Sequence, residues 1–392
     1  MKLNRLVLLL AALPGIFSPA HAQDSAGTNA AAAIVLTAPP ARASIVLVQC
    51  HGLGYGDLSC YGQKLFQTPN LDKLAAEGVR CTSYFAGNIG ATPSPGVLMF
   101  GKNSTPANGE ASIAQRLQQA GYHTGLIGEW GLGDEPWKQG FDEFAGFIHD
   151  AEGRNYFSDF IWRYDPKGDV DWTNNVVRPW VGRENIHANT GGQKGRYLPE
   201  ILINAACAFI QNNQPDQFNG FRPFFLLVNL PVPRSARADA DEFTVTSDAP
   251  FSNEKWPQAA KNRAALIAWL DGSIGRITSQ LAESRLTNNV VFIFASAAPP
   301  EKFANTNMNF LRPNGTSVSA KDRAAAPLPF IVRWPGTVPP RQTNTLAISA
   351  VDFAPTALEI AGQKPPEDWS GHSLLPVFTG GQAEKKIAEP AK

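Results

Sequence analysis

The chain has 392 residues, and its 34 lysines and arginines are matched by 34 aspartates and glutamates. A formal net charge of zero gives no electrostatic reason to expect nucleic acid or an anionic membrane surface as a partner. The length is sufficient for one large domain with a sizeable core, or for a large domain with a small one.

The first residues have the composition of an export signal. A basic end precedes a short apolar run at 6–13, and the small residues Ala20 and Ala22 follow. This arrangement predicts a signal peptide at 1–22, cleaved after Ala22, and a periplasmic or secreted location. The apolar run is too short to span a bilayer and no other stretch approaches that length, so we expect no membrane span.

The remaining chain divides by composition into a linker, a domain and a tail. Residues 23–43 are rich in Ala, Thr and Pro and predict a flexible linker. Residues 44–380 are predicted to form one domain. Within it, 153–196 is a polar and aromatic insertion of the kind that forms surface loops or substrate-facing lids. Residues 381–392 are short and charged, which predicts a disordered tail.

Short apolar runs and amphipathic stretches alternate along the domain. The runs predict strands at 45–50, 123–127, 223–228, 289–295 and 328–334. The amphipathic stretches predict helices at 68–78, 111–120, 199–211 and 264–282. This alternation favours an α/β fold with a doubly wound, mostly parallel sheet. The first strand is apolar throughout, which predicts a place in the middle of the sheet.

Two of these helices carry more specific predictions. We expect Thr68 to cap the first helix and Gly78 to end it. The inward face of helix 199–211 is predicted to hold Ile201, Ala205, Ala208 and Phe209.

The chain has four cysteines, at positions 50, 60, 81 and 207. In an exported protein, a disulfide among the first three and small buried thiols are both compatible with the sequence. Cys50 beside His51 also suggests a metal site, but no second Cys or His stands at ligand spacing. We therefore favour structural roles for both.

A series of motifs resembles the sulfatase family in content and order. They stand at 53–57, 60–62, 68–72, 74–80, 121–128, 140–144, 223–226, 330–336, 351–356 and 371–376. The resemblance implies an α/β/α sandwich of the sulfatase or alkaline-phosphatase-like type, with the family's C-terminal subdomain short or missing. It also implies the family's reaction, the hydrolysis of sulfate esters with Ca²⁺ and a formylglycine made from Cys.

The positions that would carry this reaction hold other residues. The resemblance places Ala91 at the nucleophile position, Pro95 at its supporting Arg, and Lys102 at a downstream Arg. It places Glu129 at the sulfate-binding Lys, and Gly131 and Arg234 at two His positions. A last basic residue of the site would fall near Asn314. Alanine has no heteroatom and cannot be oxidised to an aldehyde, and a carboxylate repels sulfate.

The metal-ligand positions are also replaced. Where the family has Asp, Asp, Asp and Asn, this chain has His51, Gly52, Ala297 and Ala298. Calcium needs several hard oxygen ligands, and none of these side chains supplies one. We therefore predict no cofactor. The possible residual contacts for an anion or another ligand are Lys102, His51 and Thr92.

The sequence thus predicts an exported pseudo-sulfatase that retains at most a binding role. The alternative is an active sulfuric-ester or phosphate-ester hydrolase with a rewired site, in which Thr92 or Ser94 would supply a hydroxyl. Possible partners are a sulfated or other glycan, or a protein. The aromatic residues of the insertion suit either stacking on sugar rings or local packing; these are Trp162, Tyr164, Trp172 and Trp180.

Overall fold

A computed structural model describes residues 42–87, 95–103, 109–171, 176–215, 222–235, 243–300 and 326–380. The helices in these ranges are α1 (Pro69–Ala76), α2 (Pro95–Phe100), α3 (Ile113–Gln119), α4 (Asp150–Gly153), α5 (Leu198–Asn212), α6 (Gln258–Glu283), α7 (Phe353–Ile360) and α8 (Leu375–Phe378). None of them is long and apolar enough to cross a bilayer.

The described strands form one mixed sheet. They are β1 (Ser44–His51), β2 (Val79–Phe85), β3 (His123–Glu129), β4 (Glu143–Phe147), β5 (Phe160–Asp171), β6 (Val176–Asn185), β7 (Phe224–Leu230), β8 (Val290–Ala298), β9 (Leu328–Arg333), β10 (Gln342–Asn344) and β11 (Ile348–Ser349). Their order is β10-β2-β9-β8-β1-β7-β3-β4-β5-β6, and β11 also pairs with β2. Pairing is antiparallel on both sides of β9 and β5, and parallel elsewhere.

Strand β1 lies in the interior of the sheet, between its parallel neighbours β7 and β8. Its side chains alternate between the two faces, so Ile45 and Leu47 join one apolar cluster while Val46 and Val48 join the other. Helices α1, α5 and α6 cover one face, and α2, α3, α7 and α8 cover the other. The α/β/α sandwich and the central place of β1 are confirmed.

The predicted ends of α1 are correct in position, because Thr68 is the N-cap residue and the helix ends just before Gly78, but the predicted capping geometry is wrong. The Thr68 side chain does not cap the helix and instead lies 2.8 Å from the Ser59 hydroxyl. Gly78 follows the C-cap residue Glu77 and has no left-handed backbone. A Cβ on Gly78 would meet the Val332 carbonyl at 2.0 Å, so the close approach of β9 requires glycine there.

The predicted inward face of α5 is only partly correct. Phe209 is buried, whereas Ile201 and Ala205 are half-buried and Ala208 is exposed. The residues that face the core are Leu198, Pro199, Leu202, Ile203, Ala206, Phe209 and Ile210. Because apolar residues occur on several sides of this helix, the 3.6-residue period alone could not select the buried side.

The sequence suggested that the insertion at 153–196 is a surface loop or lid. In the structure it instead contributes two long antiparallel strands, β5 and β6, to the edge of the sheet. Trp162 of β5 pairs with Arg183 of β6, and Tyr164 pairs with Val181.

All four cysteines lie in the described residues and are free thiols. Cys50 is buried, and its thiol donates to the Ala295 carbonyl. This contact gives no support to a metal site at Cys50.

Candidate functional site at the carboxyl ends of the strands

The ends of β3, β7, β1 and β8 lie side by side because these four strands are parallel neighbours. The carboxyl edge of an open α/β sheet is the usual place for a binding site. His51 ends β1, Glu129 ends β3 and Ala298 ends β8. The side chains at this edge are therefore the natural candidates for function.

The four positions that the resemblance aligns with the family's metal ligands lie together at this edge. The β1–β8 register shifts after Cys50, which places His51 opposite Ala298. The Gly52 amide donates to the Ala298 carbonyl at 3.1 Å, and Ala297 precedes Ala298 in β8. Two strand ends therefore meet through backbone hydrogen bonds, with one imidazole as the only polar side chain among the four positions.

Glu129 and Arg234 form an ion pair at the same edge. Arg234 Nη2 lies 2.5 Å from Glu129 Oε1, and the two side chains are only 6% and 3% exposed. Two charges removed from water stabilise each other at this distance, whereas removal of either leaves an uncompensated buried charge. Each of the two residues was predicted to replace a family residue. Their contact with each other was not predicted.

Asn229 joins His51 to this pair. The imidazole Nε2 donates to Asn229 Oδ1 at 3.0 Å, and Asn229 Nδ2 donates to the Glu129 carbonyl at 2.7 Å. His51 Nε2 is also 3.9 Å from Glu129 Oε2. Sequence analysis did not select Asn229, although a polar residue near the end of an otherwise apolar strand was the available signal.

Glycines at two predicted site positions have left-handed backbones. Gly52 has φ +86° and Gly131 has φ +75°, a region that side chains disfavour. A Cβ on Gly52 would also lie 3.1 Å from the Arg234 Cα. An aspartate at position 52 or a histidine at position 131 would therefore strain the backbone that this chain adopts.

Lys102 lies just after α2 and is engaged by two carboxylates. Its Nζ is 2.7 Å from Glu110 and 2.5 Å from Asp368. Hydrogen bonds to Asp368 and Glu110 raise the pKa of this lysine. Its charge is offset by these partners, which leaves it a poor contact for an added anion.

A second buried ion pair lies beneath the loop that follows β1. Arg263 of α6 donates to both Asp57 oxygens at 3.0 and 2.7 Å, and to the Gly52 carbonyl at 2.9 Å. The Gly54 amide also donates to Asp57. Sequence analysis missed this pair. The signal was an arginine inside the apolar stripe that includes Ile267, because a charge in such a stripe needs a buried partner.

Several predicted positions lie outside the described residues: Ala91, Thr92, Ser94, Trp172 and Asn314. Pro95 is the first residue of α2.

Comparison with known proteins identifies the scaffold. A family model described as Sulfatase matches residues 43–363. The chain belongs to the sulfatase family. N-acetylgalactosamine-6-sulfatase of Canis lupus familiaris is 29% identical over 397 residues, which cover 92% of this chain and 69% of that protein.

Solved structures also share the fold of this chain. One is Ps i-CgsB in complex with k-i-k-neocarrahexaose, with TM-score 0.62, 23% identity, and coverage of 86% of this chain and 76% of that one. Another, in complex with its substrate D-glucosamine-2-N,6-O-disulfate, has TM-score 0.59, 20% identity, and coverage of 90% and 85%. At these identities the likeness extends to the fold alone.

The donor set at this edge does not fit the calcium ion that sulfatase membership implies. The side chains of His51, Gly52, Ala297 and Ala298 offer no carboxylate or amide oxygen, and a guanidinium already engages the Glu129 carboxylate. Calcium requires six to eight oxygen ligands, and a neighbouring cation opposes its binding. Among the described residues, no group of three or more His, Cys, Asp or Glu side chains is arranged to hold a metal.

Proposed function

We propose that this protein is a sulfatase-family member without sulfuric-ester hydrolase activity, which retains a binding role. The observation that carries the proposal is the buried Glu129–Arg234 pair. Glu129 stands where the sulfatase resemblance implies the sulfate-binding lysine, and Arg234 stands where it implies a histidine.

The chemistry of the pair supports this proposal. A sulfate ester is anionic, and the transition state of its hydrolysis needs cationic or hydrogen-bond-donating groups around the sulfuryl oxygens. Glu129 contributes negative charge at this place, and the positive charge of Arg234 is directed at Glu129. Ala91 at the nucleophile position supplies no atom that could attack sulfur. Loss of groups that act together removes most of the rate of an enzyme.

The proposed partner is a sulfated glycan outside the cytoplasm. Ps i-CgsB was solved with k-i-k-neocarrahexaose and a second neighbour with a glucosamine disulfate, which supports this class of ligand. The basic, apolar and small-residue pattern at 1–22 supports export to the periplasm or the medium. A protein partner is the competing outcome of a binding experiment.

The test is an assay of purified mature protein, without a chelator, on an aryl sulfate and an aryl phosphate with added CaCl₂. A family sulfatase with an intact site serves as positive control. We expect no turnover above the buffer rate. Sulfate or phosphate hydrolysis that a chelator abolishes would refute the proposal and support the rewired hydrolase. Glycan arrays of sulfated and desulfated oligosaccharides then test the partner.

A further inference from the structure

Four polar side chains tie together three strands at the edge described above. They are His51 from β1, Glu129 from β3, Asn229 from β7 and Arg234 from the turn that follows β7, and we refer to them as the polar clamp. The Asn229 amide contacts His51 on one side and the Glu129 carbonyl on the other. The Arg234 guanidinium contacts the Glu129 carboxylate. The contacts connect β1 to β7 and β7 to β3.

The turn that carries Arg234 is itself fixed. The buried Tyr156 hydroxyl lies 2.8 Å from the Arg234 carbonyl and 2.9 Å from the Pro231 carbonyl. The Arg234 amide donates to the Pro231 carbonyl at 3.2 Å. These bonds fix the backbone of Arg234, so less backbone entropy is lost when its side chain pairs with Glu129.

The neighbouring backbone leaves room for the clamp. A Cβ on Gly153 of α4 would lie 1.9 Å from Glu129 Oε1, so the carboxylate occupies space that any other residue would fill. A Cβ on Gly52 would crowd the Arg234 backbone at 3.1 Å. Gly52 and Gly153, which are remote in sequence, thus both leave space for the Glu129–Arg234 ion pair.

We propose that the polar clamp takes over the structural task that a bound cation performs in a metal-dependent relative, and holds the strand ends together without metal. A cation joins carboxylates from several strand ends into one unit. Positions 51, 52, 297 and 298 lack those carboxylates, and the clamp joins the same edge through opposite charges and hydrogen bonds. The inference rests on the proposed function for the assignment of the metal-ligand positions, but its test measures unfolding rather than turnover.

The first experiment is thermal unfolding of the full mature chain with CaCl₂ and with a chelator. The clamp predicts the same Tm within about 1 °C in both, because a ligand raises Tm only by binding the folded state. A Tm several degrees higher in CaCl₂, with about one equivalent of calcium bound, overturns the inference. An absence of sulfatase turnover with such a calcium effect would leave the proposed function standing while the clamp fails.

The second experiment separates the clamp from ordinary surface pairing. Glu129→Gln and Arg234→Met are each expected to lower Tm by about 5 °C or more, since each leaves a buried charge without its counterion. The double variant should lose clearly less than the sum of the two. The control is the exposed cross-strand pair Arg163–Glu184, whose atoms lie 2.8 Å apart and whose Arg163→Met and Glu184→Gln variants should change Tm by about 1 °C or less.

Additive losses, or losses no larger than those of the control pair, overturn the inference. If Arg234→Met does not fold, the double variant decides the question. Recovery of a cooperative unfolding transition supports the clamp, because the uncompensated Glu129 charge is then gone. A double variant that also fails to fold contradicts it.

Discussion

The Asp57–Arg263 pair offers a direct test of how the loop after β1 is held. We consider Asp57→Asn, which keeps the shape of the side chain but removes its charge. In the wild type, both carboxylate oxygens accept from the Arg263 guanidinium at 3.0 and 2.7 Å, and one of them also accepts from the Gly54 amide. Arg263 is 0% exposed and Asp57 6%, so the variant leaves a guanidinium charge in the interior.

The expected loss follows from this geometry. Breaking a buried ion pair by neutralising one partner costs about 3–5 kcal/mol. The sulfatase match spans residues 43–363, and an unfolding entropy of about 2.1 cal/mol/K per residue gives roughly 0.7 kcal/mol/K for a domain of that size. Dividing the loss in free energy of unfolding by this entropy gives a fall in Tm of roughly 4–7 °C.

Differential scanning calorimetry of the mature chain measures this loss. The control uses another arginine of the same helix: Arg276 of α6 pairs with Glu200 of α5 at 2.5 Å, and both side chains are more than 40% exposed. Arg276→Met should change stability by less than about 1 kcal/mol. A Tm for Asp57→Asn within about 1 °C of the wild type would refute the assigned role of the pair. Partial recovery in Asp57→Asn with Arg263→Met would strengthen it.

Gly153→Ala should lower Tm by about 2–4 °C, because the added methyl group overlaps the buried Glu129 carboxylate. Calorimetry compares it with Gly272→Ala, where the added Cβ meets nothing within 4 Å. That control variant should be neutral or slightly stabilising. Equal effects of the two variants would contradict the packing argument. Burial lowers the pKa of His123, but hydrogen bonds to Asp142 and Glu143 outweigh it and leave the pKa raised from 6.5. The stabilisation is complete below pH 6.5 and is lost as the pH rises through the raised value. The difference in Tm between wild type and His123→Gln should shrink with pH above that point, and a constant difference from pH 5 to 9 would contradict the assignment.

Local pattern predicted five strands and four helices of the core, but not β2, β4, α2 or α7, which also bury apolar side chains there. The apolar run at 45–50 became the central strand β1, and Leu266, Leu270 and Ile274 are buried along α6 as the helical period indicated. Long, strongly periodic segments leave one way to bury their apolar side, so sequence suffices for them. The ordered sulfatase motifs then predicted the family and the fold.

Local pattern failed where the deciding contact came from a distant segment. The β5–β6 pair lies in a stretch with charged and polar residues on both faces, so its alternation is weak, and pairing with β4 makes it part of the sheet. Gly78 is glycine because β9 passes close to it, a contact that its neighbours in sequence do not reveal.

The sequence by itself predicted, from the order of the sulfatase motifs, that the site positions hold His51, Gly52, Glu129, Gly131 and Arg234, since a match of motif positions needs no coordinates. It could not predict that two of these residues, Glu129 and Arg234, form an ion pair. Glu129 and Arg234 are separated by 105 residues and lie on different elements, and each charge alone predicts a solvated surface group. Only the parallel packing of β1, β7 and β3 brings their carboxyl ends together. Burial then gives the contact its energy, because a charge removed from water is stable only beside its counterion.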